Sequence, residues 1–251
     1  MRIYLAAISS VKNAFIDGRL NLSEMNVLES FYSFQDWQKP LIHQFKDFML
    51  DSGAFTFLKS KKRGDLNFRT YAIRYADFIR QNNIDKFFEL DIDSLVGMKE
   101  VEYLRNEIEH IVGKQSIPVW HKNRGKDYFV EMCKNYPYVA LGGIALKEIP
   151  SFEKIFPWFI ETAHKYGTKI HGLGFTKMRQ LSKFPFDSVD STTWHNGMRF
   201  GELHLFKNGT IVRHTSVVKG LKCKSLKDTN ETNILNLNEW MKMCKYAEIY
   251  L

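Results

Sequence analysis

The chain is expected to fold as an α/β protein, a (β/α)8 barrel of TIM type with a C-terminal β-hairpin, a basic tract and a terminal helix. Three observations lead there. Short apolar runs alternate with stretches whose apolar residues recur at helical spacing, and the alternation persists to about residue 195. Several of the apolar runs end in Asp or Gly, as in Phe48-Met49-Leu50-Asp51-Ser52-Gly53, Phe87-Phe88-Glu89-Leu90-Asp91-Ile92-Asp93, Val139-Ala140-Leu141-Gly142-Gly143 and Phe186-Asp187-Ser188-Val189-Asp190-Ser191. Barrel and open α/β folds place their chemistry at such strand ends. A length of 251 residues suits one barrel domain, with 1–200 as barrel core and 201–251 as hairpin, tract and helix. A doubly wound sheet is the alternative architecture.

In chain order, residues 2–9 read as a buried first strand. The segment Asn26–Phe34 fits helix and strand equally, and the eighth strand is expected there. A strand at 47–51 precedes the basic loop Lys59–Gly64, and Phe68, Tyr71, Ala72, Tyr75, Phe78 and Ile79 then mark a helix. A strand at 86–92 is followed by a helix carrying Val101, Leu104, Ile108, Ile111 and Val112. The short strand Ile117–His121 enters a second basic loop, Lys122-Asn123-Arg124-Gly125-Lys126, and a helix through Tyr128, Phe129 and Met132. After the strand at 138–144, Phe152, Ile155, Phe156, Phe159, Ile160 and Ala163 form the clearest helical stripe. Lys169–Gly174 leads through a short helix to the strand at 186–190.

Beyond Trp194 the pattern changes. Leu203–Lys207 and Thr210–Arg213 flank Asn208-Gly209, the preferred pair for a two-residue hairpin turn. From Lys207 to Lys227 there are six Lys or Arg residues and no acid, and a last helix carries Trp240, Met243, Cys244 and Ala247 on one face.

Hydrophobic residues at 44% and aromatics at 14% exclude a disordered chain. The excess of 36 Lys and Arg over 28 Asp and Glu, a formal charge of +8, favours a polyanionic partner. Cys133, Cys223 and Cys244 are too scattered for a disulfide framework or a paired-cysteine zinc site. No signal peptide or membrane span is read, so a soluble, cytoplasmic protein is expected.

In a barrel, Asp51, Asp91, His121, Gly142, Gly174 and Asp190 would meet at the carboxyl face. Two carboxylates flanking one sugar carbon are the minimum set for breaking a glycosidic bond through a covalent intermediate. The pair Gly142-Gly143 lets backbone amides approach a flat ligand. A heterocycle pocket follows from the two together.

These residues also resemble a family. Asp187-Ser188-Val189-Asp190-Ser191, with His195-Asn196-Gly197-Met198-Arg199-Phe200 and a hairpin after it, is similar to the end of the barrel in the queuine/archaeosine-type tRNA-guanine transglycosylases. Asp51-Ser52-Gly53-Ala54-Phe55 resembles their Asp-Ser-Gly-Gly-Phe motif, and Gly142-Gly143-Ile144-Ala145 their Gly-Gly-Leu-Ala motif. The motifs occur in the family's order over roughly residues 48–213. The resemblance implies Asp190 as nucleophile, Asp51 as acid and base, and Asp91 as reader of guanine. It also implies Gly142 and Gly143 on the base, with Gly172 and Gly174 near the amine-recognition loop. The chain departs from the family in lacking its zinc segment, any RNA-binding domain after the barrel, and the base-contacting Gln, whose place falls near Trp120-His121. No metal and no cofactor are expected. These departures look most like the branch that inserts 7-deazaguanines into DNA. What the resemblance implies is therefore exchange of guanine for a 7-deazaguanine in DNA, with the base as co-substrate. A tRNA enzyme of reduced size and a catalytically silent nucleic-acid-binding barrel are the alternatives.

Each residue also has a plainer reading. Asp190 before Ser-Thr could cap the next segment, and Asp51 could be a turn residue. Asp187 is the rival nucleophile. Asp91 and Asp93 share a face of an ideal strand, so only the motif prefers Asp91. His121 is assigned a base contact or a place behind one, His171 a structural role, and Trp194 a packing role. The loops with Lys61, Lys62 and Arg63 and with Lys122, Arg124 and Lys126, and the tract with Arg213, Lys222 and Lys224, are assigned to phosphate contact.

Overall fold

The computed structural model describes residues 1–59, 67–144, 154–175, 177–195, 202–215 and 229–251. Seven parallel strands form one curled sheet: β1 (Arg2–Ala6), β2 (Asn26–Ser30), β3 (Asp47–Asp51), β4 (Val119–Trp120), β5 (Tyr138–Leu141), β6 (Lys169–Gly172) and β7 (Ser188–Ser191). Their order is β3-β2-β1-β7-β6-β5-β4, so the first strand pairs with the last. This is the curl of a TIM-like (β/α) fold. The ambiguous Asn26–Phe34 segment resolves as strand, in register with β3 from Asn26 opposite Asp47 to Ser30 opposite Asp51.

The expected strand at 86–92 is reduced to two single bridges, Leu50 with Phe87 and Phe88 with Ile117. Backbone bonds still run to both sides: Phe88 N–H donates to Leu50 O at 3.0 Å, and Ile117 N–H to Phe87 O at 2.8 Å. Two features prevent a regular ladder. The Ile92 amide turns back onto the Leu90 carbonyl at 3.0 Å, and the Glu89 carboxylate takes the Val119 amide at 2.6 Å. The buried Tyr75 hydroxyl pins the segment, reaching the carbonyls of Leu50 and Phe88 at 3.0 and 2.9 Å.

Helices cover the convex face: α1 (Lys12–Ile16), α2 (Ala54–Lys59), α3 (Phe68–Gln81), α4 (Asp93–Val96), α5 (Met98–Val112), α6 (Gly125–Asn135) and α7 (Phe156–Lys165). The stripes read from the sequence face the sheet, with Ala72, Tyr75 and Ile79, then Val101, Leu104 and Ile108, then Phe156, Phe159 and Ala163 all buried. Strand parity divides the core. Ile3, Leu5, Val27, Val139, Leu141, Ile170 and Val189 point toward the helices. Tyr4, Leu28, Met49, Phe88, Val119 and Ala140 fill the concave side. Side chains alternate with period two, so one residue of register decides which layer a side chain joins.

The hairpin is present as β8 (Glu202–Lys207) and β9 (Thr210–Thr215), antiparallel, with Asn208 at φ 48° and Gly209 at φ 75° in its turn. It is bound to the last helix, α8 (Thr229–Tyr250), through Trp240 Nε1–H to His204 Nδ1 at 2.9 Å and through Asn236, which meets the His204 amide and the Glu202 carbonyl. Trp240, Met243, Cys244 and Ala247 are its buried face. Among the described residues no helix is long and apolar enough to cross a membrane.

Candidate functional site

At the carboxyl end of the strands a cavity of about 540 Å³ opens on the concave side. That is within the usual range for a small-molecule site. Its lining includes Asp51 from β3, Asp91, His121 from the end of β4, Gly142 and Gly143 after β5, Gly174 after β6 and Asp190 from β7. Residues separated by up to 139 positions in the chain are thus brought together because parallel strands present all their carboxyl ends to one side.

Asp51 and Met49 share a parity, as do Asp190 and Ser188, so both carboxylates point to the concave side. Asp51 Oδ2 accepts the Gly53 amide at 2.9 Å. Burial is the main cause that pushes the Asp51 carboxyl up to about 7, with the Asp91 charge adding to it and the Gly53 amide opposing it. Asp91 Oδ2 lies 2.7 Å from His121 Nε2, and burial raises its pKa against that hydrogen bond. Asp190 Oδ1 accepts the Gly174 amide at 2.6 Å and lies 3.3 Å from His171 Nε2. Gly174, at φ 69°, holds the left-handed turn that aims this amide.

Gly142 is required by close approach. A Cβ there would lie 2.7 Å from His121 Cε1 and 2.8 Å from Val119 Cγ1. The bare backbone lets the imidazole pack beside Asp91.

The structure separates the residues that the strand pattern left open. Asp187 stands at the amino end of β7, where its carboxylate accepts the Ile170 amide at 2.8 Å and meets His164 at 3.0 Å. It does not line the cavity. Asp93 starts α4 and is taken by Arg124 at 3.0 Å, which leaves Asp91 as the acid at the cavity.

Two assignments change. Gly172 has the parity of Ile170 and faces the helix layer, where a Cβ would meet Phe186 and Val189 at 3.4 Å, so it is a packing glycine. Arg124 is no phosphate-contacting loop residue: its side chain is fully buried, with Nη1 2.6 Å from Glu89 and Nη2 3.0 Å from Asp93. Together with Arg105 on Glu89 at 3.1 Å it holds the 89–93 segment behind Asp91. A charge in that position cannot leave its partners for solvent without stranding two buried carboxylates. Lys122 and Lys126 are exposed, Lys126 lying 4.5 Å over the Trp158 ring, and Arg213 is exposed on the hairpin. Lys61, Lys62, Arg63, Lys222 and Lys224, with Ala145 and the 196–200 motif, lie outside the described residues. Trp194 is buried and donates to the Ala6 carbonyl at 2.8 Å.

Glu29, Ser30 and Thr192 also line the cavity and were not singled out from the sequence; Phe55, the last residue of the Asp51–Phe55 motif, lines it with them. Glu29 is buried, accepts the Ile8 amide at 2.7 Å and has its pKa raised by burial. Its signal was lost with the ambiguity of Asn26–Phe34, because only a strand puts Glu29 at a strand's carboxyl end.

No family model and no curated protein matches the chain. Among solved structures, the carboxyl transferase domain of Rhizobium etli pyruvate carboxylase is similar over 98% of this chain and 48% of that one, at 12% identity and a TM-score of 0.50. The chain spans about half the length of that structure. CitE from Mycobacterium tuberculosis, in complex with magnesium, acetoacetate and coenzyme A, is similar over 95% of this chain and 98% of that one, at 10% identity and a TM-score of 0.42. At this identity the carboxyl transferase likeness is one of fold alone.

Proposed function

We propose that the chain is a base-exchange transglycosylase that replaces guanine in DNA with a 7-deazaguanine through a covalent glycosyl-Asp190 intermediate. The observation that carries this reading is the meeting of Asp51, Asp91 and Asp190, from three separate strand ends, in one cavity without a Lys or Arg ion pair among the described residues. Carboxylates kept for stability are ordinarily neutralised by cations; carboxylates kept for chemistry are ordinarily left available. The sequence motifs supply the rest. In the finer fold reading that goes with it, the 86–89 segment is the fourth of eight staves and closes a (β/α)8 barrel between β3 and β4.

In the first half-reaction Asp190 attacks C1′ of a target nucleotide turned out of the helix or supplied single-stranded, since C1′ is out of reach within the stack. An Asp51 carboxyl with a pKa near 7 is partly protonated at neutral pH and gives its proton to the departing guanine. Asp91 with His121, and the backbone at Gly142 and Gly143, hold the polar edge of the purine. A 7-deazaguanine then enters, loses a proton to Asp51 and displaces Asp190. Two displacements retain configuration and give ping-pong kinetics.

The test is nucleoside mass spectrometry of DNA and of tRNA from cells that express the chain and are supplied with 7-deazaguanines. A modified deoxynucleoside is expected. A modified ribonucleoside alone would move the activity to tRNA, and neither product would leave the silent binding barrel.

A further inference from the structure

A line of polar side chains crosses the concave interior behind Asp190. Asp190 Oδ1 lies 3.3 Å from His171 Nε2, His171 Nδ1 is hydrogen-bonded to Ser188 Oγ, and Ser188 Oγ is hydrogen-bonded to the Tyr138 hydroxyl. His171 is fully buried, its ring set between Tyr4 at 6.0 Å and Phe88 at 5.3 Å between centroids. Tyr138 ends the line in a polar pocket at the amino end of the strands. A buried imidazole, hydroxyl and phenol in sequence need a consistent direction of donation, because a misdirected proton leaves a donor facing a donor.

We propose that His171 is a positioning residue for Asp190, its Nε2–H held toward the carboxylate by Ser188 and Tyr138, and that Asp190 Oδ2 is the attacking oxygen. This rests on the reading of Asp190 as nucleophile. The direction follows from the ends of the line. A carboxylate only accepts, so a neutral His171 must place its proton on Nε2; Nδ1 then accepts from Ser188, and Ser188 accepts from Tyr138. Burial pushes the Tyr138 phenol well above its ordinary value, which keeps the proton that starts the line.

The choice of oxygen follows from the same geometry. Both donors that reach Asp190 from the described residues, the Gly174 amide and His171 Nε2, fall on Oδ1. Oδ2 is left for the substrate. In the first displacement Oδ2 gives a lone pair to C1′ while the C1′–N9 bond breaks, and the electron pair leaves with guanine as it takes the Asp51 proton. In the second, N9 of the incoming base attacks C1′ as its proton passes to Asp51, and the Oδ2–C1′ electrons return to Asp190. His171 keeps its proton in both. Its work is to hold the carboxylate rotamer, and a misplacement of about 1 Å at a reacting atom costs about 100-fold in rate.

The test joins 15N-histidine spectra of the full chain with exchange kinetics. The signal absent in His171→Asn is expected to be a neutral Nε2–H tautomer in the parent, and its Nδ1 resonance is expected to move in Ser188→Ala, which removes the donor to Nδ1 while Nε2–H stays on Asp190. His171→Asn is expected to lower kcat about 100-fold with KM within about twofold. His171→Gln, whose amide can reach the position of Nε2, is expected to recover about tenfold of that loss. An Nδ1–H tautomer or an imidazolium in the parent, or parent-like kcat in a folded His171→Asn, would overturn the proposal. A parent that exchanges no base would remove the role given to Oδ2 along with the reaction, while the spectra still decide whether His171 and Ser188 hold Asp190.

Discussion

Strand β3 begins with Asp47 and ends with Asp51, and β7 is entered through Asp187 and carries Asp190 near its close; in β3 the two ends treat a carboxylate in opposite ways. At the amino end Asp47 takes hydrogen bonds from Arg2 at 2.6 Å, from the Tyr4 hydroxyl at 2.8 Å and from Lys86. Lys46 is paired with Glu248 there, and Asp187 takes a backbone amide and His164. At the carboxyl end, Asp51, Asp91 and Asp190 have amides and imidazoles but no lysine or arginine partner among the described residues. The amino end also forms a pocket, of about 400 Å³, lined by Arg2, Lys46, Lys86, Lys169, Asp187 and Glu248. The presence of a pocket therefore does not distinguish the two ends. Charge pairing separates Asp47 and Glu248, which cations neutralise, from Asp51 and Asp91, whose pKa values burial raises toward the range where proton transfer is useful. Asp187 and Asp190 are alike in partners and differ in place, one outside the cavity and one in it.

The largest expected contrast lies within one strand. Asp190→Asn should lower exchange by at least about 10³-fold while polynucleotide binding persists, because an amide cannot replace a carboxylate nucleophile. Asp187→Asn should leave kcat within about twofold and lower only the melting temperature. Equal losses from both would erase the distinction between the ends.

Asp51 provides the next contrast, read by pH. Its pKa rises on folding from an ordinary 3.8 to about 7, so between those values the folded chain holds a proton that the unfolded chain releases. Stability from this group is full below about pH 4 and is lost as pH rises through about 7, on the order of a few kcal/mol. Asp51→Asn removes that loss. Urea titrations should show the variant no more stable than the parent at pH 4 and clearly more stable at pH 8, although it exchanges no base. A parent whose stability is level from pH 4 to pH 8 would place Asp51 among the paired acids.

A smaller effect is expected from Gly142→Ala. The added methyl must displace His121 or Val119, so the His121–Asp91 contact loosens and base affinity should fall about tenfold, with kcat less affected. Competition by free guanine measures this directly. The smallest effect belongs to the other end: Asp47→Asn should cost about 1–3 kcal/mol of stability, seen as a lower urea midpoint, with kcat/KM unchanged. A catalytic loss there would show that the amino-end network reaches the site.

The helices, the hairpin and most strands were legible because they are written in periodicity and turn chemistry. The stripe Phe156, Phe159, Ile160, Ala163 can only be buried as a helix, and Asn208-Gly209 can only join strands through left-handed backbone. The strands failed where both faces are used. Asn26–Ser30 is buried almost throughout, so no alternation betrays it. The 86–92 run carries strand residues, but the Leu90–Ile92 turn and the Glu89 carboxylate replace ladder bonds by local ones. Arg124 misled for a related reason, since a basic loop looks alike in sequence whether its charges meet solvent or a buried Glu89.

By itself the sequence determined the alternation of strand and helix, and which strand ends carry acids and glycines, because both follow from neighbours along the chain. Only the tertiary structure decided which acids meet. Asp51, Asp91 and Asp190 share a cavity because sheet curl and strand parity bring their side chains to one concave end. The same folding gave Asp93, Asp47 and Asp187 their partners at other places: Arg124 for the first, Arg2 and Lys86 for the second, and the Ile170 amide with His164 for the third. Pairing depends on distances across the fold, and local sequence does not encode those distances.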